Sequence, residues 1–408
     1  MKLKAFAGLL PRPDQVTEVA AVPYDVVDTK EARALAEGHP NNLLHVDRAE
    51  IGLPDSQDPY AEIVYQTARK NFQRLISEGI LEREEKPTIY LYQQEMNGRK
   101  QTGVLAACSV SDYQNDIIRK HEKTRKVKED DRTKLVDTLS AHTGPIFLTF
   151  RDREEIQSLI DATLATPAYF DFTADDGVAH RVWKVSNPAA FEEAFGRVPL
   201  AYVADGHHRS ASASRVGTMR KDANPNHTGD EEYNWLLGVL FPASHLAILP
   251  YNRVVSDLNG HTADALLQGI KDAGFTVTPT DNPVPAAPGN VHMYLDGKWS
   301  AISWDASSIS DPVDSLDVSV LQDRILSPLL NIDDPRTNNR IDFIGGIRGT
   351  AELEKRVQSG SAAVAFSMYP TTVDQLMSIA DAGAIMPPKS TWFEPKLRSG
   401  LVVMTFEE

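Results

Sequence analysis

The 408-residue sequence predicts a mixed α/β protein of the α+β class, with two α/β regions along the chain. Three observations support this prediction. Short apolar runs typical of buried strands alternate with segments whose apolar residues recur at helical spacing. Asn97-Gly98 separates two apolar runs, as in a β-hairpin. The apolar run 200–204 breaks at Asp205-Gly206 and continues into small residues that favour a helix, so a strand there leads directly into a helix.

In chain order, the first predicted elements are a helix at 29–37 and a longer helix at 59–77, which ends before Gly79. The hairpin strands 88–92 and 103–107 follow. The other predicted strands are 145–150, 179–185, 200–204, 235–241, 246–255, 292–294, 299–304, 341–346, 362–367 and 402–406. The other predicted helices are 154–165, 188–195, 262–273, 317–330 and 372–382.

The chain is longer than one ordinary domain, and its composition changes near residues 256–290. The Pro- and Ala-rich stretch 282–289 is typical of a linker or a bend between strands. We therefore expect a first domain at 1–258 and a second domain at 259–408.

Composition excludes several classes of protein. The net charge of −15 argues against a nucleic-acid-binding protein. Cys108 is the single cysteine, so neither a disulfide framework nor a cysteine-rich zinc site is expected, and its apolar neighbours suggest a buried structural thiol. No apolar run approaches the roughly 18 residues that span a bilayer. The N-terminal apolar stretch is too short for a secretory signal, which predicts a cytoplasmic location.

Residues 205–209, Asp-Gly-His-His-Arg, are expected to bind an anion where the predicted strand meets the predicted helix. Glycine lets a backbone approach a phosphate, arginine binds two oxygens, and histidine exchanges a proton near neutral pH. A metal site or structural hydrogen bonding are the alternatives. The predicted catalytic residues here are Asp205, His207, His208 and Arg209, and the predicted phosphate-binding residues are Gly206, Arg209 and Ser210.

Three further groups of residues carry polar chemistry. Arg253 lies among apolar neighbours, and a loop with prolines on both sides contains Lys389, Ser390 and Thr391. All four residues are predicted to contact phosphate. The alternative for the loop is a rigid connector. The charged segment 117–134 is either a solvated helix face or part of the site. The predicted substrate-binding residues are Tyr24, Asp25, His45, Arg48 and His121, and local hydrogen bonding is the alternative for the first four.

The 205–209 loop resembles the corresponding loop of free-serine kinases, which belong to the ParB/sulfiredoxin-like superfamily. That resemblance implies a ParB/sulfiredoxin-like core, a phosphate bound at the loop, and phosphoryl transfer from ATP or ADP with Mg²⁺ to a serine hydroxyl. His121-Glu122 resembles the kinase segment that bears the catalytic base, which implies that role for Glu122.

Across nearly its whole length the chain also resembles the bacterial family called domain of unknown function 1015. The residues that carry this resemblance are Pro23 to Asp25, Asn42 to Arg48, His121 to Thr124 with Lys128, Asp131 and Arg132, Ala204 to Arg209, Pro250 to Val254, and Met386 to Gly400. The hypothesis is therefore a serine kinase-like or phosphoserine phosphatase-like enzyme that acts on a small phosphorylated molecule. The alternative is a non-catalytic sensor of a nucleotide or phosphometabolite. A homodimer is left open.

Overall fold

A computed structural model describes residues 1–406, and it divides the chain into two compact units. The first unit is Met1–Leu246 together with the chain from Pro395 onward, and the second is Ala247–Glu394. The N-terminal part of the first unit ends at Leu246 and not at the expected residue 258, because the strand Tyr251–Val255 pairs inside the sheet of the second unit. The C-terminal segment belongs to the first unit, where Met404–Thr405 pairs with Ala141–His142. Both units mix helices and strands.

The first unit is built on a nine-stranded mixed sheet. In spatial order its strands are Ile118–Arg119, Ala201–Asp205, Ile146–Phe150, Trp235–Pro242, Arg99–Ser109, Tyr90–Met96, Ala179–Lys184 and Phe170–Thr173, with Leu3–Lys4 paired to Arg99–Ser109. Two neighbouring pairs are parallel and the others antiparallel. Leu9–Pro11 and Leu81–Arg83 form a separate small ladder. Cys108 lies in the apolar core of this sheet.

Helices cover the sheet of the first unit and form a second apolar cluster of their own. The α-helices are Val16–Val19, Thr29–Ala36, Leu44–Asp47, Glu62–Ser77, Val110–Gln114, Lys126–Leu139, Glu154–Leu164, Pro188–Gly196 and His207–Ala223. Thr29–Ala36 begins at a capping box, in which Asp28 and Glu31 satisfy each other's backbone amides. Within residues 1–406, every helix is too short or too polar to cross a membrane.

The second unit is built on a six-stranded antiparallel sheet. Its strands, in spatial order, are Thr276–Pro279, Lys298–Ser303, Asn290–Leu295, Val364–Met368, Tyr251–Val255 and Ile341–Gly345, and Ile248–Leu249 pairs separately with Trp392–Phe393. Its helices are Ala263–Asp272, Asp317–Leu321, Ser327–Leu330, Gly349–Gln358 and Val373–Asp381. A π-helical turn, Gln322–Leu326, joins the second and third of these helices.

The predicted hairpin is confirmed, because Asn97 and Gly98 form the turn with φ of 52° and 77°. The predicted strand 246–255 is two strands, since Pro250 between them has no N–H to donate. The predicted strand 402–406 shortens to Met404–Thr405. The second half of the charged segment belongs to the helix Lys126–Leu139, a structure that the sequence left undecided.

Candidate functional site

The 205–209 loop joins the end of the strand Ala201–Asp205 to the start of the helix His207–Ala223. Gly206 occupies the N-cap position with φ 92° and ψ 33°, a left-handed conformation that favours glycine. No side chain of the described chain caps this helix start. The first amides of a 17-residue helix therefore lack intrahelical acceptors, and the helix dipole makes the same point positive. This geometry suits an anion.

Asp205 is paired with a lysine from the C-terminal segment of the same unit. The Lys396 ammonium donates to Asp205 Oδ2 at 3.1 Å, and the Gly206 amide donates to Asp205 Oδ1 at 2.9 Å. Burial alone would raise the pKa of Asp205, but the charges of Lys396 and Arg209 outweigh it and hold the pKa well below its ordinary value. Asp205 is thus an ionised carboxylate that holds Lys396 beside the loop.

The Arg209 guanidinium folds back over the loop that precedes it. One terminal nitrogen donates to the carbonyl of Pro145. The guanidinium atoms lie 3.2 Å from the point that a Cβ on Gly206 would occupy, so a side chain there would displace them. Nε of Arg209 is buried without a hydrogen bond to the described residues. Arg209 therefore keeps part of its hydrogen-bonding capacity for a ligand.

A buried charge network lies close to the loop. Arg132 donates through Nε to Asp131 Oδ2 at 2.9 Å and through Nη1 to the Asp47 carbonyl at 3.0 Å, and it lies 4.1 Å from the Tyr24 ring centroid. The Thr143 hydroxyl donates to Asp47 Oδ1 at 2.6 Å. Burial raises the pKa of Asp47, although the charges of Arg132 and Arg209 oppose that shift. The network fixes the positions of the groups around Arg209.

Two histidines of the site, His121 and His207, are buried and neutral. His207 and His121 pack edge to face with ring centroids 4.5 Å apart, and both ring nitrogens of His121 are buried without a hydrogen bond to the described residues. Burial lowers the pKa of His121 to about 4 and that of His207 far below its ordinary value. Glu122 Oε2 lies 3.7 Å from His207 Nδ1, and His208 Nε2 accepts from the Arg125 amide at 3.0 Å.

The structure places Glu122 and His121 beside His207 of the 205–209 loop, and Asp25 acts electrostatically on His208. Other predicted residues have local partners. The Ser210 hydroxyl donates to the Gly206 carbonyl at 3.1 Å. Arg48 pairs with Glu50 at 3.0 Å and also donates to Thr29. The His45 carbonyl accepts from Asn71.

Arg253, Lys389, Ser390 and Thr391 belong to the second unit, whereas the 205–209 loop belongs to the first. Arg253 donates to the carbonyls of Tyr251 and Lys389. The Ser390 hydroxyl donates to the Pro387 carbonyl at 2.5 Å, which is typical of a rigid loop. These residues form a separate group, and their role as phosphate contacts stays a prediction.

Three residues of the site were not among the predicted site residues: Lys396, Asp47 and Arg132. Arg132 and Asp131 stood in the charged segment and were quoted for the family resemblance, yet both are at most 8% exposed. Lys396 lies 191 positions from Asp205, so spacing along the chain gave no signal. For the metal alternative, no group of three or more His, Cys, Asp or Glu side chains within residues 1–406 is arranged to hold an ion.

Among solved structures the chain is similar to a free serine kinase in complex with AMP, at 12% identity over 71% of this chain and 86% of that one, with a TM-score of 0.37. A conserved hypothetical protein from Pyrococcus furiosus is similar at 13% identity over 73% and 93%, with a TM-score of 0.35. SbnI with a C-terminal truncation, from Staphylococcus aureus, is similar at 11% identity over 71% and 82%, with a TM-score of 0.38.

No curated protein matches the chain significantly. A protein-family model described as "Protein of unknown function (DUF1015)" matches residues 3–319, which is well over half of the chain. The chain therefore belongs to the DUF1015 family of proteins of unknown function.

Proposed function

We propose that the chain is a phosphoryl-transfer enzyme that acts on free serine or a similar small hydroxy-amino acid. The observation that carries this proposal is the uncapped helix start at Gly206, with the cations Arg209 and Lys396 close enough to Asp205 to lower its pKa. Backbone amides at a helix start, together with a guanidinium and an ammonium, are the groups that bind phosphate in proteins. The phosphate occupies this position.

Residues of the 205–209 loop, with Lys396 and Glu122, have different roles in the proposed phosphoryl transfer. Gly206 lets the phosphate approach the amides, Arg209 contacts two of its oxygens, and Lys396 adds a point charge. In the kinase direction, a carboxylate accepts the serine hydroxyl proton while the oxygen attacks phosphorus and the donor's P–O bond breaks. Glu122 fits that role, because its side chain is 56% exposed and lies beside His207. Asp205 instead positions Lys396.

ATP or ADP is the phosphoryl donor in this proposal, and the first unit is a ParB/sulfiredoxin-like core. Both assignments rest on the resemblance of the 205–209 loop to that of free-serine kinases. Bound Mg²⁺ would offset the charge of the nucleotide phosphates. Asp25 is an exposed carboxylate that would hold such an ion, whereas Asp205 is engaged by Lys396.

A non-catalytic sensor of a nucleotide or phosphometabolite is the second proposal, and one observation favours it. His207 and His121 are buried and neutral, so neither is poised to exchange a proton with a ligand near neutral pH. If Glu122 does not act as a base, the loop retains binding groups without an acid–base group.

Phosphorus NMR of the purified full chain separates the two functions. The protein is incubated with ATP or ADP, L-serine and Mg²⁺, and in a second sample with phosphoserine alone. An enzyme produces or consumes the phosphoserine signal. Broadening of the nucleotide signals without any new product would instead identify a sensor.

Two variants and a control connect the result to the site. Arg209→Ala is expected to weaken phosphate binding at least tenfold, and Glu122→Gln to abolish turnover while binding persists. Arg215→Ala is the control, since Arg215 lies on the same helix and pairs with Asp130 and Glu129. Normal binding by Arg209→Ala would remove the loop from both proposed functions.

A further inference from the structure

Arg253 is a buried cation on the strand next to one edge of the second unit's sheet. It lies on the strand Tyr251–Val255, between the strands Val364–Met368 and Ile341–Gly345, and only 4% of its surface is exposed. A guanidinium stays charged in a protein, so burying it is unfavourable unless an anion compensates the charge. The partners of Arg253 therefore indicate what the site is built for.

Among residues 1–406, the hydrogen-bond partners of Arg253 are carbonyl dipoles, and none of them carries a countercharge. Its terminal nitrogens donate to the carbonyls of Tyr251 and Lys389, and its guanidinium carbon lies 5.3 Å from the Phe343 ring centroid. No carboxylate among residues 1–406 pairs with it, and burial lowers its pKa to about 10. Two carbonyls engage two of the five N–H groups of a guanidinium, so hydrogen-bonding capacity remains for an anion.

Arg253 lines a cavity of about 380 Å³ that is formed entirely by the second unit. Apolar side chains make up much of its wall, including Val318, Phe343, Pro387 and Pro388. This volume lies within the range of small-molecule sites, which are mostly apolar with a few polar groups that orient the ligand. A buried cation in an apolar cavity matches that description.

The other charged residues around the cavity indicate how much negative charge a bound anion carries. Arg336 is neutralised by a two-point contact with Asp334, at 2.8 Å for each bond. Asp333 is exposed and accepts from the Ser327 hydroxyl at 2.6 Å. Because Arg336 offsets the charge of Asp334, Asp333 is the carboxylate that acts on a bound anion, and it repels a phosphate dianion more than a singly charged carboxylate. Arg253 alone balances one negative charge.

We propose that the second unit carries a binding site for a small organic carboxylate, whose carboxylate group pairs with Arg253 while its carbon skeleton packs against Phe343 and the prolines. This site is independent of the phosphate proposed at the 205–209 loop. It gives the second unit a ligand of its own.

Thermal unfolding of the full chain tests the site, with sodium propionate and sodium butyrate as probes and sodium chloride and sodium phosphate at matched ionic strength as references. A ligand that binds only the folded state raises the midpoint of unfolding. We expect both carboxylates to raise the midpoint of the wild-type protein above its value in chloride, and phosphate not to do so.

Arg253→Met is expected to lose this response, because a flexible apolar side chain fills the space without the charge. Arg324→Met is the matched control: Arg324 also lies in the second unit, donates to a carbonyl and stacks on a phenylalanine, Phe275, but it does not line the cavity. Arg253→Lys keeps the charge without the planar fork, and we expect it to bind the carboxylates several-fold more weakly.

Three outcomes overturn the inference. The first is a wild-type midpoint that the carboxylates leave unchanged, a measurement that needs no variant to fold. The second is an equal response of the wild-type protein and a folded Arg253→Met variant. The third is a larger response to phosphate than to the carboxylates. Arg209→Ala should retain the carboxylate response, so a failure here is distinct from a failure at the 205–209 loop.

Discussion

Arg132 in the first unit and Arg253 in the second are both almost fully buried, yet their surroundings differ. Arg132 contacts the Asp131 carboxylate at 2.8 Å and 2.9 Å, and it lies against the Tyr24 ring. Although burial opposes it, the charge of Asp131 raises the pKa of Arg132. Arg253 donates to two carbonyl groups and to no carboxylate among residues 1–406, and burial lowers its pKa to about 10.

This difference indicates a structural role for Arg132 and a ligand-binding role for Arg253. The Asp131–Arg132 pair is complete within the chain, and Tyr65 donates to the second oxygen of Asp131 at 2.9 Å. Removal of Arg132 therefore leaves the buried Asp131 carboxylate without its cation, which destabilises the fold. Arg253 has no countercharge among residues 1–406, so its replacement removes an unfavourable burial as well as some hydrogen bonds.

The largest expected effect is that of Arg132→Met compared with Arg253→Met. Arg132→Met leaves Asp131 buried without its cation, and we expect it to lower the free energy of unfolding by about 3–5 kcal/mol. Arg253→Met should change that free energy by less than about 1 kcal/mol, because an apolar residue replaces an uncompensated charge. Urea unfolding followed by circular dichroism measures both. Equal losses would end the distinction between the two arginines.

Asp317 tests whether the second unit contains another uncompensated charge. Its side chain is 9% exposed and accepts from the Gly289 amide at 2.9 Å, and burial raises its pKa to about 6. An aspartate whose folded pKa is raised destabilises the fold as pH rises through the interval from about 4 to about 6.

We expect Asp317→Asn to be more stable than the wild-type protein above about pH 6, by about 2–3 kcal/mol, and to match it below about pH 4. Unfolding free energies measured across this pH range provide the test. A difference that is independent of pH would show that the side-chain exchange, and not the charge, is responsible.

Gly206→Ala examines the crowding around Arg209. Alanine in a left-handed conformation costs about 1–2 kcal/mol, and its Cβ would displace the guanidinium 3.2 Å away. Gly98→Ala is the control, since Gly98 has φ 77° with open space around its missing Cβ. Both variants should lose stability, but only Gly206→Ala should bind phosphate at least tenfold more weakly in calorimetric titration. Unchanged phosphate affinity in Gly206→Ala would contradict the proposed site.

Lys396→Met is expected to lower the free energy of unfolding by only about 1 kcal/mol at neutral pH, because the Lys396–Asp205 pair is partly exposed. The pKa of Asp205 is depressed, so the pair stabilises the fold above the ordinary aspartate pKa of about 3.9. That contribution is lost as pH falls below this value. The stability difference between wild type and variant should therefore disappear in acid, which unfolding measured at pH 7 and in steps below pH 4 will show.

Local patterns predicted much of the fold and the central part of the site. The hairpin could be predicted from the turn pair Asn97-Gly98 between two apolar runs. The strand–loop–helix could be predicted from the five residues 205–209 and the residues that flank them. Lys396 and Asp47 could not be assigned in that way. Both lie in segments that carry the family resemblance, but their roles depend on contacts with residues far along the chain.

The sequence by itself determined the features that depend on neighbouring residues. These are the residue types of the 205–209 loop, the mixed α/β class and the single cysteine in an apolar run. Only the tertiary structure decided which charges are compensated. Arg132 and Arg253 are the same residue type, and both are buried, but one lies against a carboxylate and the other against carbonyls. The electrostatic free energy of a charge depends on distance and burial, and only folding brings distant residues to those distances.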